Sequence, residues 1–301
     1  MKHLLLTTIA AGLLTVCVQA SECVPQKTSP KGTLEARLVS FLENGERCIA
    51  VAQFGIYKSV AVLKLEPQGV SSDSDRVPIK GSYYYVRHAK EIHLEGYLEK
   101  RPRRLVMKES YNGESTGHFQ FSADDSGGNY WSPPESTRED DATFITGEDD
   151  AVLIHVFSYD SSIGEKDIAS MRFTSIVKVR DYTLPEDAPR YERENRVWAC
   201  KLPDNSIAFE IYVIGQDWHF GQLKGIAFSD HLLGKTYEHE SIISGDKCEV
   251  WIELNDQKNL IFKNEECFNC CGVFVSLTGE YNYRDEVKLF ADTGQLKAEG
   301  K

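Results

Sequence analysis

Beyond residue 50 the chain alternates between apolar and polar positions in short runs. Ile92, Leu94 and Leu98 share one parity while His93, Glu95 and Tyr97 share the other, so that segment reads as a strand with one face in a core and one in water. Runs of the same texture cover 105–108, 118–121, 152–157, 170–179, 207–214, 249–254 and 273–277, separated by Gly, Asn, Asp and Pro. Many short strands joined by polar turns predict a mainly β protein of two antiparallel β-domains, each a meander-like barrel or sandwich. Helical spacing is scarce. Leu34, Leu38, Phe41 and Leu42 fit one or two helical turns ending at Asn44-Gly45, but the length leaves helix and strand both open there.

Pro185, Pro189 and alternating charges interrupt the apolar pattern between 181 and 196. That break predicts an N-terminal β-domain over 21–180, a linker over 181–196 and a C-terminal β-domain over 197–285. Residues 286–301 read as a loosely attached tail, with Val287 and Leu289 at most a final edge strand, and 133–141 as a long acidic loop. At the start of the chain, Lys2, an apolar stretch from Leu4 to Val18 and the small-residue step Val18-Gln19-Ala20 have the layout of a secretory signal peptide over 1–20. That stretch is shorter than the ~20 apolar residues a spanning helix needs, and no later segment reaches that length, so no transmembrane segment is expected. The predicted location is periplasmic or extracellular. The alternative is a lipoprotein anchored at Cys17, because Leu14-Thr15-Val16-Cys17 resembles a lipobox, although Val16 stands where a small residue is usual.

Charge and cysteines narrow the chemistry. Lys and Arg number 34 against 46 Asp and Glu, a formal charge of −12, and loss of Lys2 with the signal makes the balance one unit more negative. Nucleic acid is therefore not an expected partner; a basic protein or an envelope polymer is. After cleavage the cysteines are Cys23, Cys48, Cys200, Cys248, Cys267, Cys270 and Cys271. In an oxidising compartment they read as disulfide partners. Spacing pairs Cys267 with Cys271 around a turn, Cys200 with Cys248 and Cys23 with Cys48, with Cys248 to Cys267 across a hairpin as the alternative. Cys270 is then the leftover free thiol. In a reducing compartment the same cluster would suit zinc, but behind a signal peptide neither a metal nor another cofactor is expected.

The segment from Gly81 to Pro134 carries a recognisable pattern: Gly81-Ser82-Tyr83-Tyr84-Tyr85, Ile92-His93-Leu94-Glu95-Gly96, Leu105 to Glu109, Thr116-Gly117-His118-Phe119, and Gly128 to Trp131-Ser132-Pro133. It is a meander in which glycines mark close backbone approaches. The stretch resembles uncharacterised exported bacterial β-rich modules, some found beside lysozyme-inhibitor-type domains. Two residues separate Gly128 from Trp131, where the module has one. Cys248-Glu249, Cys267, Cys271-Gly272 and Leu277-Thr278-Gly279-Glu280-Tyr281 resemble a C-terminal piece of similar proteins. The resemblance implies an exported β-module and carries over no catalytic residue.

Candidate ligand chemistry is sparse. Tyr83 and Tyr85 share a strand face, so at least part of the tyrosine run serves a core, and Trp131 is the first residue to test as a binding anchor although a core role is the simpler account. The acidic runs Glu139-Asp140-Asp141 and Glu148-Asp149-Asp150 lack the spaced ligands and glycine of a calcium loop, and read as solvated charge. His88, His93, His118, His155, His219, His231 and His239 form no zinc-protease arrangement, and the chain has no nucleophile elbow, phosphate loop or dinucleotide fingerprint, so no catalytic residue is nominated. The expected function is that of an exported binding or inhibitory protein of the cell envelope, ligand unknown. The alternatives are a structural envelope-associated protein and a hydrolase acting on envelope glycans or peptides.

Overall fold

The computed structural model describes residues 33–290 apart from 56–57, 70–73, 124–127, 132–148, 160–167, 181–182, 184, 186, 216–218, 230–235, 240–248, 256 and 266–274. One helix, α1 (Leu34–Glu43), precedes β1 (Cys48–Phe54), β2 (Ser59–Pro67), β3 (Arg76–Tyr85), β4 (Glu91–Lys100), β5 (Arg103–Tyr111), β6 (Glu114–Ser122), β7 (Gly128–Trp131) and β8 (Asp149–Ser158). There follow β9 (Ala169–Val179), β10 (Tyr191–Lys201), β11 (Ile207–Ile214), β12 (Phe220–Ser229), β13 (Thr236–His239), β14 (Glu249–Leu254), β15 (Leu260–Glu265) and β16 (Gly279–Lys288). Within each barrel successive strands pair antiparallel, and β1 closes on β8 while β9 closes on β16, giving two eight-stranded meander barrels in tandem. The second barrel is thinnest where β12 meets β13 through two residue pairs and β15 meets β16 through three.

The period-two pattern explains the first barrel. Leu94, Leu98, Leu105, Met107, Phe119 and Phe121 point inward and are almost fully buried. On the outer face, Lys80, Glu95, Lys108 and His118 are successive cross-strand partners and all are exposed, the distribution of a wall that faces water. The segment around Leu34, open between helix and strand in the sequence, is helical. Thr33 caps α1 by accepting from the Ala36 amide at 3.2 Å, and Glu35 adds favourable charge in the first turn. Leu38, Val39 and Leu42 of α1 are fully buried among the inward side chains, and Glu43 bonds Arg103 at 2.8 Å, so α1 stoppers the end at which β5 begins. The second barrel is filled by its own side chains, among them Phe173, Phe209, Phe262 and Tyr281.

A separate apolar layer joins the barrels. Outward residues of the first, including Ile49, Val51, Val60 and Val62, pack with Cys200, Leu202, Ala208 and Ile226 of the second. Leu289 and Phe290 enter this seam directly after β16, where Phe290 meets Tyr84 edge-on at 4.9 Å.

Three sequence expectations change here. The boundary at 181–196 lies too late: β9, placed by sequence in the N-terminal domain, is a wall of the second barrel, and residues 191–196 are the first half of β10, paired with β9 along its length. Charge and proline misled because β10 begins with Tyr191, Glu192, Arg193 and Glu194, whose outer positions meet solvent. The tail likewise starts later than 286, since β16 runs to Lys288 and Leu289 is fully buried. The strand expected over 273–277 is not one where it is described: 275–278 are irregular, Leu277 is buried in the second core, and the strand begins at Gly279. No helix among the described residues is long and apolar enough to cross a membrane.

Candidate functional site

Of the expected disulfide framework the described residues include only Cys48 and Cys200, whose expected partners Cys23 and Cys248 lie outside them. Cys48 and Cys200 are free thiols, each fully buried, and among the described residues there is no disulfide. They occupy different cores, Cys48 inside the first barrel and Cys200 in the seam. Burial pushes the Cys200 thiol up to about 12; burial, then the neighbouring Glu46 carboxylate, push Cys48 higher still. Cys23, Cys248, Cys267, Cys270 and Cys271 lie outside the described residues, as do Glu139, Asp140, Asp141, Glu148 and His231. Trp131 ends β7 opposite His118, and its side chain is outside the description. Among the described residues no cluster of His, Cys, Asp and Glu is arranged to hold a metal ion.

The tyrosine run divides as its parity requires. Tyr83 and Tyr85 turn into the first barrel at the end opposite α1, and Tyr84 turns out into the seam. Tyr83 donates to the buried Glu109 carboxylate at 3.0 Å and packs against Phe54 at 5.6 Å. A buried carboxylate needs such a donor, so this group is a polar finish to the packed interior.

The surface best shaped for recognition lies on the outer wall of the second barrel. Outward positions of β11 run Ala208, Glu210 and Tyr212, and those of β12 run Ile226, Lys224, Gln222 and Phe220. Ala208, Glu210, Lys224 and Ile226 are covered by the first barrel, but further along the same strands Tyr212 is 36% and Phe220 60% exposed. Their rings lie nearly parallel, 6.1 Å between centroids with a 21° interplanar angle. Ile214 pairs with Phe220, and Ile176 on β9, 54% exposed, pairs with Glu194 on β10. Arg196, opposite Tyr212, bonds Glu194 at 3.2 Å and borders the apolar patch with charge. Exposed aromatic and aliphatic side chains in one patch, with an arginine at its border, have the composition of a binding hot spot. Sequence reasoning passed over Tyr212 and Phe220 because alternation fixes that they point outward, but not where the first barrel stops covering them.

Where the covered half begins, polar groups stitch the barrels together. The buried Glu210 accepts from the Val60 amide at 2.7 Å, and Lys224 lies 3.9 Å from its other oxygen. Burial raises the Glu210 carboxyl and lowers the Lys224 amine, each offset in part by the other's charge. Arg87 lies 5.3 Å from the Trp198 ring centroid. Ser170 donates to the Val86 carbonyl at 2.6 Å. The chain matches no protein-family model, no curated protein and no solved structure.

Proposed function

We propose that this chain is an exported, non-catalytic binding or inhibitory protein of the cell envelope, and that the wall around Tyr212 and Phe220 is its contact face. The observation that carries the reading is that patch: large apolar side chains held on paired strands of a closed barrel, exposed beside a charged rim. Strand-borne side chains lose little freedom on binding, which favours affinity. The acidic balance of −12 favours a basic protein as the partner and predicts an association that weakens as salt rises. The resemblance of 81–134 and 248–281 to exported β-modules supports the envelope as the place of action.

The test is affinity capture of envelope proteins and glycans on the mature protein, beside a variant carrying Tyr212→Ser and Phe220→Ser. Because both side chains are exposed, circular dichroism and the unfolding midpoint should be unchanged. A partner held by the wild type should bind the variant at least tenfold more weakly. Equal retention by both proteins removes the assigned face, and turnover of an envelope glycan or peptide by the purified protein removes the non-catalytic reading.

A further inference from the structure

The sequence holds two Asn-Gly steps, Asn44-Gly45 and Asn112-Gly113, each followed by a glutamate and each exposed. An asparagine before glycine is open to attack on its own side-chain carbonyl by the next backbone nitrogen, because glycine has no Cβ to shield that nitrogen. The fold treats the two steps differently. Asn44 is the C-cap of α1 and donates its amide to the Ser40 carbonyl at 3.1 Å, while the Gly45 amide is committed to the Leu42 carbonyl at 3.2 Å and the Glu46 amide to the Phe41 carbonyl at 2.9 Å. Asn112 and Gly113 instead form the two-residue loop between β5 and β6, with φ of +53° and +84°, the left-handed pair such a hairpin requires. Tyr111 pairs with Glu114 across the loop, and among the described residues no backbone bond engages the Gly113 amide. The ladder shifts register between Glu109 and Ser110, so two residue pairs hold the tip, Ser110 with Ser115 and Tyr111 with Glu114. Residues 111–115 are exposed, and nothing lies within 4 Å of a Cβ built on Gly113.

We propose that Asn112-Gly113 is a self-modification site, at which the folded protein converts Asn112 to aspartate and isoaspartate while the capped Asn44 is spared. Hydroxide takes the Gly113 amide proton, and the nitrogen attacks Cγ of Asn112. The Cγ–Nδ2 bond breaks, and the leaving nitrogen takes a proton from water and departs as ammonia, so hydroxide is regenerated and a five-membered succinimide remains. Water then opens the ring. Addition at Cγ gives aspartate; addition at the backbone carbonyl carbon gives isoaspartate, whose main chain runs through the side chain. The balance is water consumed and ammonia released, with no oxidant and no other reactant. Attack takes rotation about the Asn112 Cα–C bond, which the tip allows by parting its two outer pairs, a local opening far smaller than unfolding. At Asn44 the same rotation breaks the cap, and Gly45 must first give up the carbonyl of Leu42, whose side chain is buried in the first core. The product carries a new carboxylate beside Glu114, which makes the charge of −12 one unit more negative. Isoaspartate also adds a backbone atom to a loop whose length fixes the strand register. The site stands independently of the binding face.

The test is a time course on the full mature chain in mildly alkaline buffer, with peptide mapping by mass spectrometry and chromatographic separation of aspartate from isoaspartate. In the folded protein Asn112 should convert at least tenfold faster than Asn44, because the cap must open before Asn44 can react. In guanidinium the helix cap and the hairpin are both gone, and since Gly-Glu follows each asparagine the two rates should converge to within about threefold. Gly113→Ala, which shields the attacking nitrogen, should slow conversion at Asn112 at least fivefold and leave Asn44 unchanged. A smaller difference between the two sites in the folded protein overturns the proposal. So does a tenfold difference that persists in guanidinium, which would assign the selectivity to local sequence rather than to the fold, or a Gly113→Ala variant that converts as fast as the wild type.

Discussion

Cys48 and Cys200 show how position decides the chemistry of a side chain. A thiol in water ionises readily enough to be oxidised or alkylated, but the thiolate is the reacting species and burial suppresses it. With Cys200 pushed up to about 12 and Cys48 further, both should be inert while the barrels are closed. Native protein at pH 8 should therefore react with a thiol reagent at these positions at least a hundredfold more slowly than protein unfolded in guanidinium without reductant. Peptide mapping after labelling checks it; if unfolding alone leaves Cys48 or Cys200 unlabelled and reduction is needed, they are bridged. At the same scale, Tyr83 and Tyr84 are adjacent in sequence yet serve different cores, one bonding Glu109 and the other meeting Phe290.

Strands were legible to the extent that their two faces differ. The alternation at 92–98 became β4, and the apolar run at 207–214 became β11, because inward positions must be apolar and outward ones need not be. α1 was ambiguous because its apolar positions fit a short helix or an irregular strand, and Thr33 settles it only once the cap is formed. The binding wall was not legible, since the boundary between covered and exposed halves of β11 and β12 is drawn by another barrel. Two glycines of the meander, Gly81 and Gly96, are close approaches as read. A Cβ on Gly96 would stand 2.0 Å from the Val106 carbonyl oxygen and 2.9 Å from the Met107 Cα, and one on Gly81 would stand 2.1 Å from the Lys64 carbonyl oxygen. Backbone cannot yield as a flexible side chain can, so Gly96→Ala should cost about 3 kcal/mol, the upper range for overpacking. Gly113, with φ +84° and open space around it, is the control: Gly113→Ala meets only backbone strain and should cost about 1 kcal/mol. Urea midpoints of the two variants decide the order, and equal losses would falsify the steric account.

The seam makes the two barrels one structure, because the layer holding Ile49, Val62, Ala208 and Ile226 belongs to neither interior. Phe290 is its outlying anchor, 9% exposed against Tyr84, and lies in the stretch that the sequence marked as tail. Phe290→Ala should cost about 3 kcal/mol, the usual loss for deleting a buried ring. It should lower one shared thermal transition rather than split it, which calorimetry would show; two separate transitions in the wild type would mean that the barrels unfold independently. Closure of each barrel also imposes an order on synthesis. The first barrel can shut once β8 has left the ribosome, but β9 pairs with β16, so the second waits for nearly the last residues described. Until then β9 offers a row of unmet amides and carbonyls to any passing strand. A message cut short before residue 279 would release a chain with that row permanently open, so a truncated product should aggregate even though its first barrel is whole.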